Sequence, residues 1–146
     1  MATPDPGSRV LAAVPQFTVA DLPATVRYYH DVLGFQVAGY WDGEGVTPTP
    51  GPSSVFAIVF RDEVQFFFSR VDEVGGSGMR TGRADGAYDV YLRVTGIGEL
   101  ANELRGRGAN IVDGPEDRAY GQRELVVVDC NDLVLAFGEY TNEGNT

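Results

Sequence analysis

Three side chains that can take part in acid–base chemistry, Asp89, Tyr91 and Arg93, stand two residues apart in one short stretch. Apolar residues alternate with them, which predicts a β-strand that places all three on one face. There Asp89 could serve as a general base, with Tyr91 or Arg93 stabilising an oxyanion. A base needs its pKa raised by burial, whereas the adjacent Arg93 would lower it. A structural Asp89–Arg93 ion pair is therefore at least as well supported as catalysis.

The remaining candidate nucleophiles and bases give little evidence of a catalytic residue. Cys130 lies in a polar turn with no histidine close in sequence, which argues against a thiol nucleophile. His30, the single histidine, lies within a predicted helix and is expected on its solvated surface. All eleven cationic side chains are arginines, so a Schiff-base lysine is excluded.

Composition limits the class of protein. A chain of 146 residues with 43% hydrophobic content fits one compact domain with a sizeable core. A formal charge of −10 argues against nucleic acid as a partner, because phosphate binding needs clustered cations. No apolar run is long enough to cross a bilayer, and a membrane partner is not expected. With one cysteine and no signal-like start, we expect a cytoplasmic protein whose residues 1–9 form a flexible arm.

The first half of the chain is predicted to form a strand, a helix and three further strands. Residues 10–19 favour a strand interrupted by Pro15, and Asp21 is a suitable N-cap for a helix that ends near Gly34. Strands are then predicted at residues 35–41, 55–60 and 64–68. The segment 42–54 is rich in Gly and Pro and is predicted to be a loop.

The second half repeats this order after a glycine-rich linker at residues 71–86. Strands are predicted at 88–94, 109–112, 125–128 and 133–137, with a helix near 97–104 and a polar loop at 115–121. The residues at 64–68 correspond in this alignment to those at 134–138. We therefore predict an α+β fold made of two βαβββ modules, residues 10–70 and 87–140, that curl as a mixed sheet around a cleft. Residues 141–146 form a tail.

Particular stretches resemble a known superfamily. The opening FTVADLPATVRYYHDVLGF, the later YDVYLRVTGIGELANELRGRGANI and GQRELVVVDCNDLVLAFGE are similar to vicinal oxygen chelate proteins. That group includes glyoxalase I, bleomycin resistance proteins and extradiol dioxygenases, and the similarity is greatest to the bleomycin-resistance branch. The turn usually written Asp-Pro-Asp-Gly-Asn is here Asp129-Cys130-Asn131-Asp132.

The resemblance also implies four positions that bind a metal in the metal-dependent members. In this chain they correspond to Val14, Phe66, Asp89 and Ala136. Three of these are apolar, so no metal and no cofactor are expected. A shift of two residues would replace Val14 by Gln16, which still leaves only two ligands. If the alignment is wrong, a metal-dependent lyase or dioxygenase remains an alternative.

The face that carried these positions is predicted to bind a ligand instead. Aromatic area with a few polar anchors is the usual composition of a small-molecule site. Phe66 and Phe68 are equally well explained as core, Trp41 as an exposed contact, and Arg123 as half of a surface pair with Glu124. The predicted ligand-binding residues are Gln16, Trp41, Phe66, Phe68, Asp89, Tyr91, Arg93, Tyr120 and Arg123.

The resemblance to the bleomycin-resistance branch implies a function in drug resistance. We expect a non-catalytic protein that sequesters a small aromatic or cationic molecule, and, by analogy, a homodimer with ligands bound in grooves between its chains. The alternative is a metal-free isomerase or lyase of the same fold with Asp89 as its base.

Overall fold

The computed structural model describes residues 7–71 and 87–141, and its elements follow the duplicated order predicted from the sequence, except for one short extra strand, Val46–Thr47, inside the predicted loop 42–54. The first module contains β1 (Gln16–Val19), α1 (Leu22–Asp31), β2 (Gln36–Trp41), β3 (Val46–Thr47), β4 (Phe56–Arg61) and β5 (Val64–Arg70). The second contains β6 (Val90–Arg93), α2 (Ile97–Gly106), β7 (Asn110–Arg118), β8 (Gln122–Val128) and β9 (Val134–Tyr140).

The strands form two separate sheets, one for each module. The first has the order β1-β5-β4-β2-β3 and the second the order β6-β9-β8-β7. In both sheets the first strand of the module pairs parallel with the last, and the other pairings are antiparallel. The α+β class and the two-module plan are confirmed, but the described strands do not continue from one sheet into the other.

Each helix packs on one face of its own sheet. Helix α1 begins at Asp21, whose carboxylate accepts a hydrogen bond from Ala24 N at 3.0 Å, as its residue type predicts. Helix α2 follows Gly96, which has no side chain to cap it. Glu139 on β9 supplies the cap instead, accepting from Gly96 N at 2.8 Å and from Ile97 N at 3.1 Å. Both helices direct an apolar stripe at their sheets.

The two modules share one hydrophobic core through their helix-bearing faces. Tyr29 on α1 donates a hydrogen bond of 2.6 Å to Asp129 in the β8–β9 turn. Arg61 at the end of β4 binds both carboxylate oxygens of Glu103 on α2, at 3.0 and 2.8 Å. The modules therefore join through their helix-bearing faces, and the opposite, helix-free faces point away from this contact.

Several boundaries differ from the sequence prediction. The first strand begins only at Gln16, after Pro15, and the preceding apolar residues are solvated, with Val10 98% and Leu11 79% exposed. Strand β7 continues through most of the segment predicted to be a polar loop. The predicted linker lies outside the described residues except for Val71, and so do residues 142–146 of the predicted tail. No helix in residues 7–71 and 87–141 has the length and apolar character needed to cross a membrane.

Candidate functional site

A buried carboxylate lies on the helix-free face of the second sheet. Strand β8 alternates, so that Leu125 and Val127 enter the core while Glu124 and Val126 point to the opposite side. No helix covers that side, yet Glu124 is only 1% exposed. Carboxylates are rarely buried unless they are paired with other groups. The groups that form hydrogen bonds with Glu124 therefore define the candidate site.

Three tyrosines and one arginine surround Glu124. The Tyr91 hydroxyl lies 2.7 Å from Oε2 and also 2.5 Å from Gln122 Oε1, and Tyr120 donates to Oε1 at 2.6 Å. Tyr88 reaches Oε1 at 3.4 Å, and Arg118 Nε donates to the same oxygen at 3.2 Å. These donors come from β6, from the loop before it and from the β7–β8 hairpin. The fold therefore brings together groups that lie far apart in sequence.

The hydrogen bonds keep the carboxylate charged and the phenols neutral. Burial raises the pKa of Glu124, but bonds from Tyr120, Tyr91 and Arg118 outweigh it and lower the pKa below its usual value. The bond to Glu124 is the main cause that raises the pKa of Tyr120 to about 12. Desolvation and the same carboxylate raise the pKa of Tyr91 well above its usual value. At neutral pH, Glu124 is therefore ionised and both phenols keep their protons.

Tyr91 lies flat across the sheet because Gly138 leaves room for it. Strand β9 separates β6 from β8, so the Tyr91 side chain must cross β9 to reach Glu124. A Cβ atom at Gly138 would overlap the Tyr91 hydroxyl and lie 2.5 Å from its Cζ. Gly138 has no side chain and so leaves space above β9. At Gly138 that space is filled by the protein's own tyrosine.

Arg93 stacks beside this ring. Its guanidinium carbon lies 4.0 Å from the centre of the Tyr140 ring and 5.4 Å from that of Tyr91. It also donates a short hydrogen bond to Gln122 Oε1. We call the helix-free side of the second sheet the tyrosine face, defined by Tyr88, Tyr91, Arg93, Tyr120, Gln122, Glu124 and Tyr140.

The helix-free side of the first sheet is aromatic. Trp41 is 40% exposed there, and its β4 neighbour Phe56 packs on Phe67 with ring centres 5.3 Å apart. Gln16 also lies on this side, where its amide donates to Ser69 Oγ at 2.7 Å. We call this side the aromatic face, defined by Gln16, Trp41, Val46, Phe56, Ile58, Phe67 and Ser69.

Phe66 and Phe68 require a correction. Both are fully buried on the helix-bearing side, with ring centres 5.5 and 4.9 Å from Tyr29 of α1. The alignment of the two halves by sequence made Phe66 the equivalent of Ala136, but the strand registers make Phe67 the equivalent residue. A shift of one residue reverses every side chain of a strand, so Phe67 lies on the helix-free face and its two neighbours in the core.

The four positions implied for a metal do not supply suitable donors. Val14, Ala136 and either Phe66 or its corrected counterpart Phe67 have no side-chain atom that can bind a cation. Asp89 directs a carboxylate oxygen to Val134 N at 2.7 Å. Within residues 7–71 and 87–141, no three His, Cys, Asp or Glu side chains are grouped to hold a metal ion. The donor set does not fit a divalent metal site.

The structure thus unites some of the predicted site residues and separates others. Tyr91, Arg93 and Tyr120 lie together on the tyrosine face, while Gln16 and Trp41 lie on the aromatic face. Arg123 points to the other side of β8 and pairs with Asp117 at 2.6 Å instead. Glu124, the centre of the cluster, was not predicted. Its one signal was a charged residue at the start of an otherwise apolar strand.

A pocket of about 700 Å³ opens elsewhere, between the modules on their helix-bearing sides. Core side chains such as Leu92 and Leu104 form part of its wall, and Arg61 and Glu103 at its edge already pair with each other. Of the two faces, only Arg93 reaches it. We therefore assign the candidate site to the helix-free faces.

Comparison with known proteins identifies the group to which these features belong. The sequence model of the Glyoxalase/Bleomycin resistance protein/Dioxygenase superfamily matches residues 12–137. No curated protein matches the chain. Several solved structures share its fold at low identity.

The bleomycin-binding protein of Streptomyces verticillus, solved with copper(II)-bleomycin, is 24% identical, with a TM-score of 0.60 over 93% of this chain and 99% of its own. The bleomycin resistance determinant encoded on transposon Tn5 is 15% identical, with a TM-score of 0.65 over 91% and 100%. A glyoxalase-related enzyme from Clostridium phytofermentans is 16% identical, with a TM-score of 0.67 over 93% and 99%. At these identities the similarity shows the fold alone.

Proposed function

The chain belongs to the glyoxalase/bleomycin resistance protein/dioxygenase superfamily, and on that premise we propose that it binds and sequesters a small aromatic molecule without transforming it. The observation that carries this proposal is the pair of helix-free sheet faces. One presents aromatic area, and the other presents tyrosines held by a buried carboxylate. Aromatic surface with a few fixed polar groups suits the recognition of small molecules.

The proposed active form is a homodimer. The modules of one chain join through their helix-bearing faces, so the aromatic and tyrosine faces do not meet within it. A two-fold axis would bring the aromatic face of one protomer against the tyrosine face of its partner, and would do so twice. Each contact would enclose one ligand between two walls. The solvated apolar residues Val10 and Leu11 add surface that a partner would cover.

The chemistry of the site supports binding more than catalysis. The Glu124 carboxylate is saturated by tyrosine and arginine donors, which leaves it no role as a proton acceptor. Three of the four implied metal positions have no side-chain donor. What remains is a surface with fixed rings and fixed dipoles, which suits retention of a ligand.

The test measures ligand-induced stabilisation and mass together. Metal-free bleomycin, other aromatic drugs and divalent metals are screened by thermal shift, and the mass is measured by light scattering. A ligand at a hundred times its dissociation constant adds about 2.7 kcal/mol to the free energy of unfolding. We expect a shift with an aromatic drug and the mass of a dimer.

The control uses two substitutions that each remove an apolar side chain. Phe67→Ser alters the aromatic face and should abolish the drug-induced shift. Val112→Ser, at a residue that is 54% exposed and outside both faces, should not. Equal responses of the two variants, or a shift with metals alone, would refute the proposed site.

A further inference from the structure

We propose that the tyrosine face selects planar organic cations, with Tyr91 as the stacking surface and Glu124 as the positioning residue that holds it. This inference rests on the proposed function and names its ligand class. The relevant ligand group is a flat amidinium, guanidinium or ring-bound ammonium. Three features of the face lead to this class.

The first feature is the orientation of the ring. Tyr91 crosses β9 over Gly138, so one side of the ring covers the backbone and the other side points away from the sheet. The hydroxyl is fixed at its far end by Glu124 at 2.7 Å. A ring held at both ends is a preformed flat surface, which a planar ligand can contact with little loss of conformational entropy.

The second feature is the direction of the hydroxyl protons. Tyr120 donates to the ionised Glu124, and the Tyr91 hydroxyl has two acceptors within the protein, Gln122 Oε1 at 2.5 Å and Glu124 Oε2 at 2.7 Å. Each phenol has only one proton to give, and these groups already take it. Towards a ligand, their oxygens can therefore only accept hydrogen bonds. Donation to a carboxylate also increases the electron density of the ring, which strengthens its attraction for a cation. A ligand that carries N–H donors and positive charge is favoured on both counts.

The third feature is the local charge. Arg118 is shared by Asp113, Glu116 and Glu124, so three carboxylates face a single guanidinium. On the same face, the Arg93 guanidinium already stacks on Tyr140 at 4.0 Å. The same guanidinium carbon lies 5.4 Å from the centre of the Tyr91 ring, so tyrosine rings of this face already have a planar cation beside them. An anionic ligand would meet the excess negative charge instead.

The experiment compares benzamidine, a planar cation at neutral pH, with benzamide, a neutral molecule of nearly the same shape. Dissociation constants are measured for the full chain by NMR titration. We expect the wild-type protein to bind benzamidine about tenfold more tightly than benzamide. In Glu124→Gln the carboxylate charge is lost, and the preference should fall to about threefold or less.

Two further variants separate selectivity from folding. Tyr91→Phe keeps the ring but loses the bond to Glu124, and the preference should again fall. Asp117→Asn removes the same unit of charge from an exposed pair with Arg123, which lies on the opposite face of the sheet from Glu124. This variant should keep the preference for benzamidine over benzamide. Circular dichroism and melting temperature verify that each variant is folded.

The outcomes are distinguishable from those of the proposed function. Equal binding of benzamidine and benzamide by the wild type would overturn cation selection while leaving small-molecule binding intact. Binding of neither would overturn the role of Tyr91 as the stacking surface, even if a drug binds elsewhere. If Asp117→Asn and Glu124→Gln lose the preference for benzamidine over benzamide to the same extent, the preference depends on the net charge of the protein. That result would overturn the positioning role of Glu124.

Discussion

Replacing Tyr29 by phenylalanine should measure how strongly the two modules are coupled. Tyr29 is fully buried on α1, and its hydroxyl donates to Asp129 Oδ2 at 2.6 Å, across the boundary between the modules. Its ring also contacts Phe35, Phe66 and Phe68, with centres 4.9 to 5.5 Å apart. The substitution keeps these ring contacts and removes only the hydroxyl.

The expected loss is that of one buried hydrogen bond to a charged group. Such bonds contribute about 1.5–3 kcal/mol, and removal of a donor leaves the acceptor partly unsatisfied. Asp129 keeps the hydrogen bonds that its other oxygen accepts from Asn131 N at 2.7 Å and Leu133 N at 2.9 Å. We therefore expect a loss of about 2 kcal/mol, which lowers the melting temperature by roughly 4–8 °C in a chain of this size.

The neighbouring tyrosine provides the matched control. Tyr28 is only partly buried, and its hydroxyl lies 3.4 Å from the carbonyl oxygen of Val128, a long hydrogen bond. Urea unfolding of Tyr28→Phe should show a loss of about 0.5 kcal/mol or less. If Tyr29→Phe costs no more than this control, the bond to Asp129 does not couple the modules and the reasoning is refuted.

Three further results are expected. Gly34→Ala should destabilise the fold by about 1–2 kcal/mol in urea, because φ is +77° and the new Cβ would lie 2.7 Å from Arg61 Nη1; a neutral result would contradict this geometry. Because the folded pKa of Glu124 is lowered, its contribution is complete above its unfolded pKa of about 4.3 and is lost as pH falls through the lower folded value. Acid titrations of stability should therefore show the wild-type and Glu124→Gln curves starting to converge as pH falls below about 4.3, and parallel curves would exclude this linkage. Asp89→Asn should keep most ligand binding, as judged by thermal shift; if the wild type turns over a substrate and the variant does not, Asp89 is a base and the protein is an enzyme.

The fold could be predicted because local signals agreed with each other. The N-cap at Asp21, the alternation around Tyr91 and the polar turn at Asp129 each identify an element without information from distant residues. Their repetition in both halves gives the module plan. Strand β7 was underestimated because it continues past Pro115 along an irregular register with β8, and turn-forming residues there suggested a loop.

The candidate site was harder to predict because its centre depends on distant contacts. A charged residue beside Arg123 indicates a surface pair, and only the sheet reveals that Glu124 points to the opposite side. The side chains that bury it come from residues more than 30 positions earlier, Tyr88 and Tyr91, and from a hairpin that was predicted to be a loop. Burial of that carboxylate follows from strand order, which a single sequence does not encode locally.

The error at Phe66 has a different origin, and the duplication itself contains the remedy. Three consecutive phenylalanines hide the alternation of β5, so the alignment of the two halves was free to shift by one residue. The parallel strand pairs remove that freedom: Phe17 pairs with Phe68 as Leu92 pairs with Phe137, and all four side chains pack in or against the core. Anchoring the modules on these buried pairs aligns Phe67 with Ala136. The side of each last strand that lies away from the core is therefore determined by which residues of its parallel partner are buried.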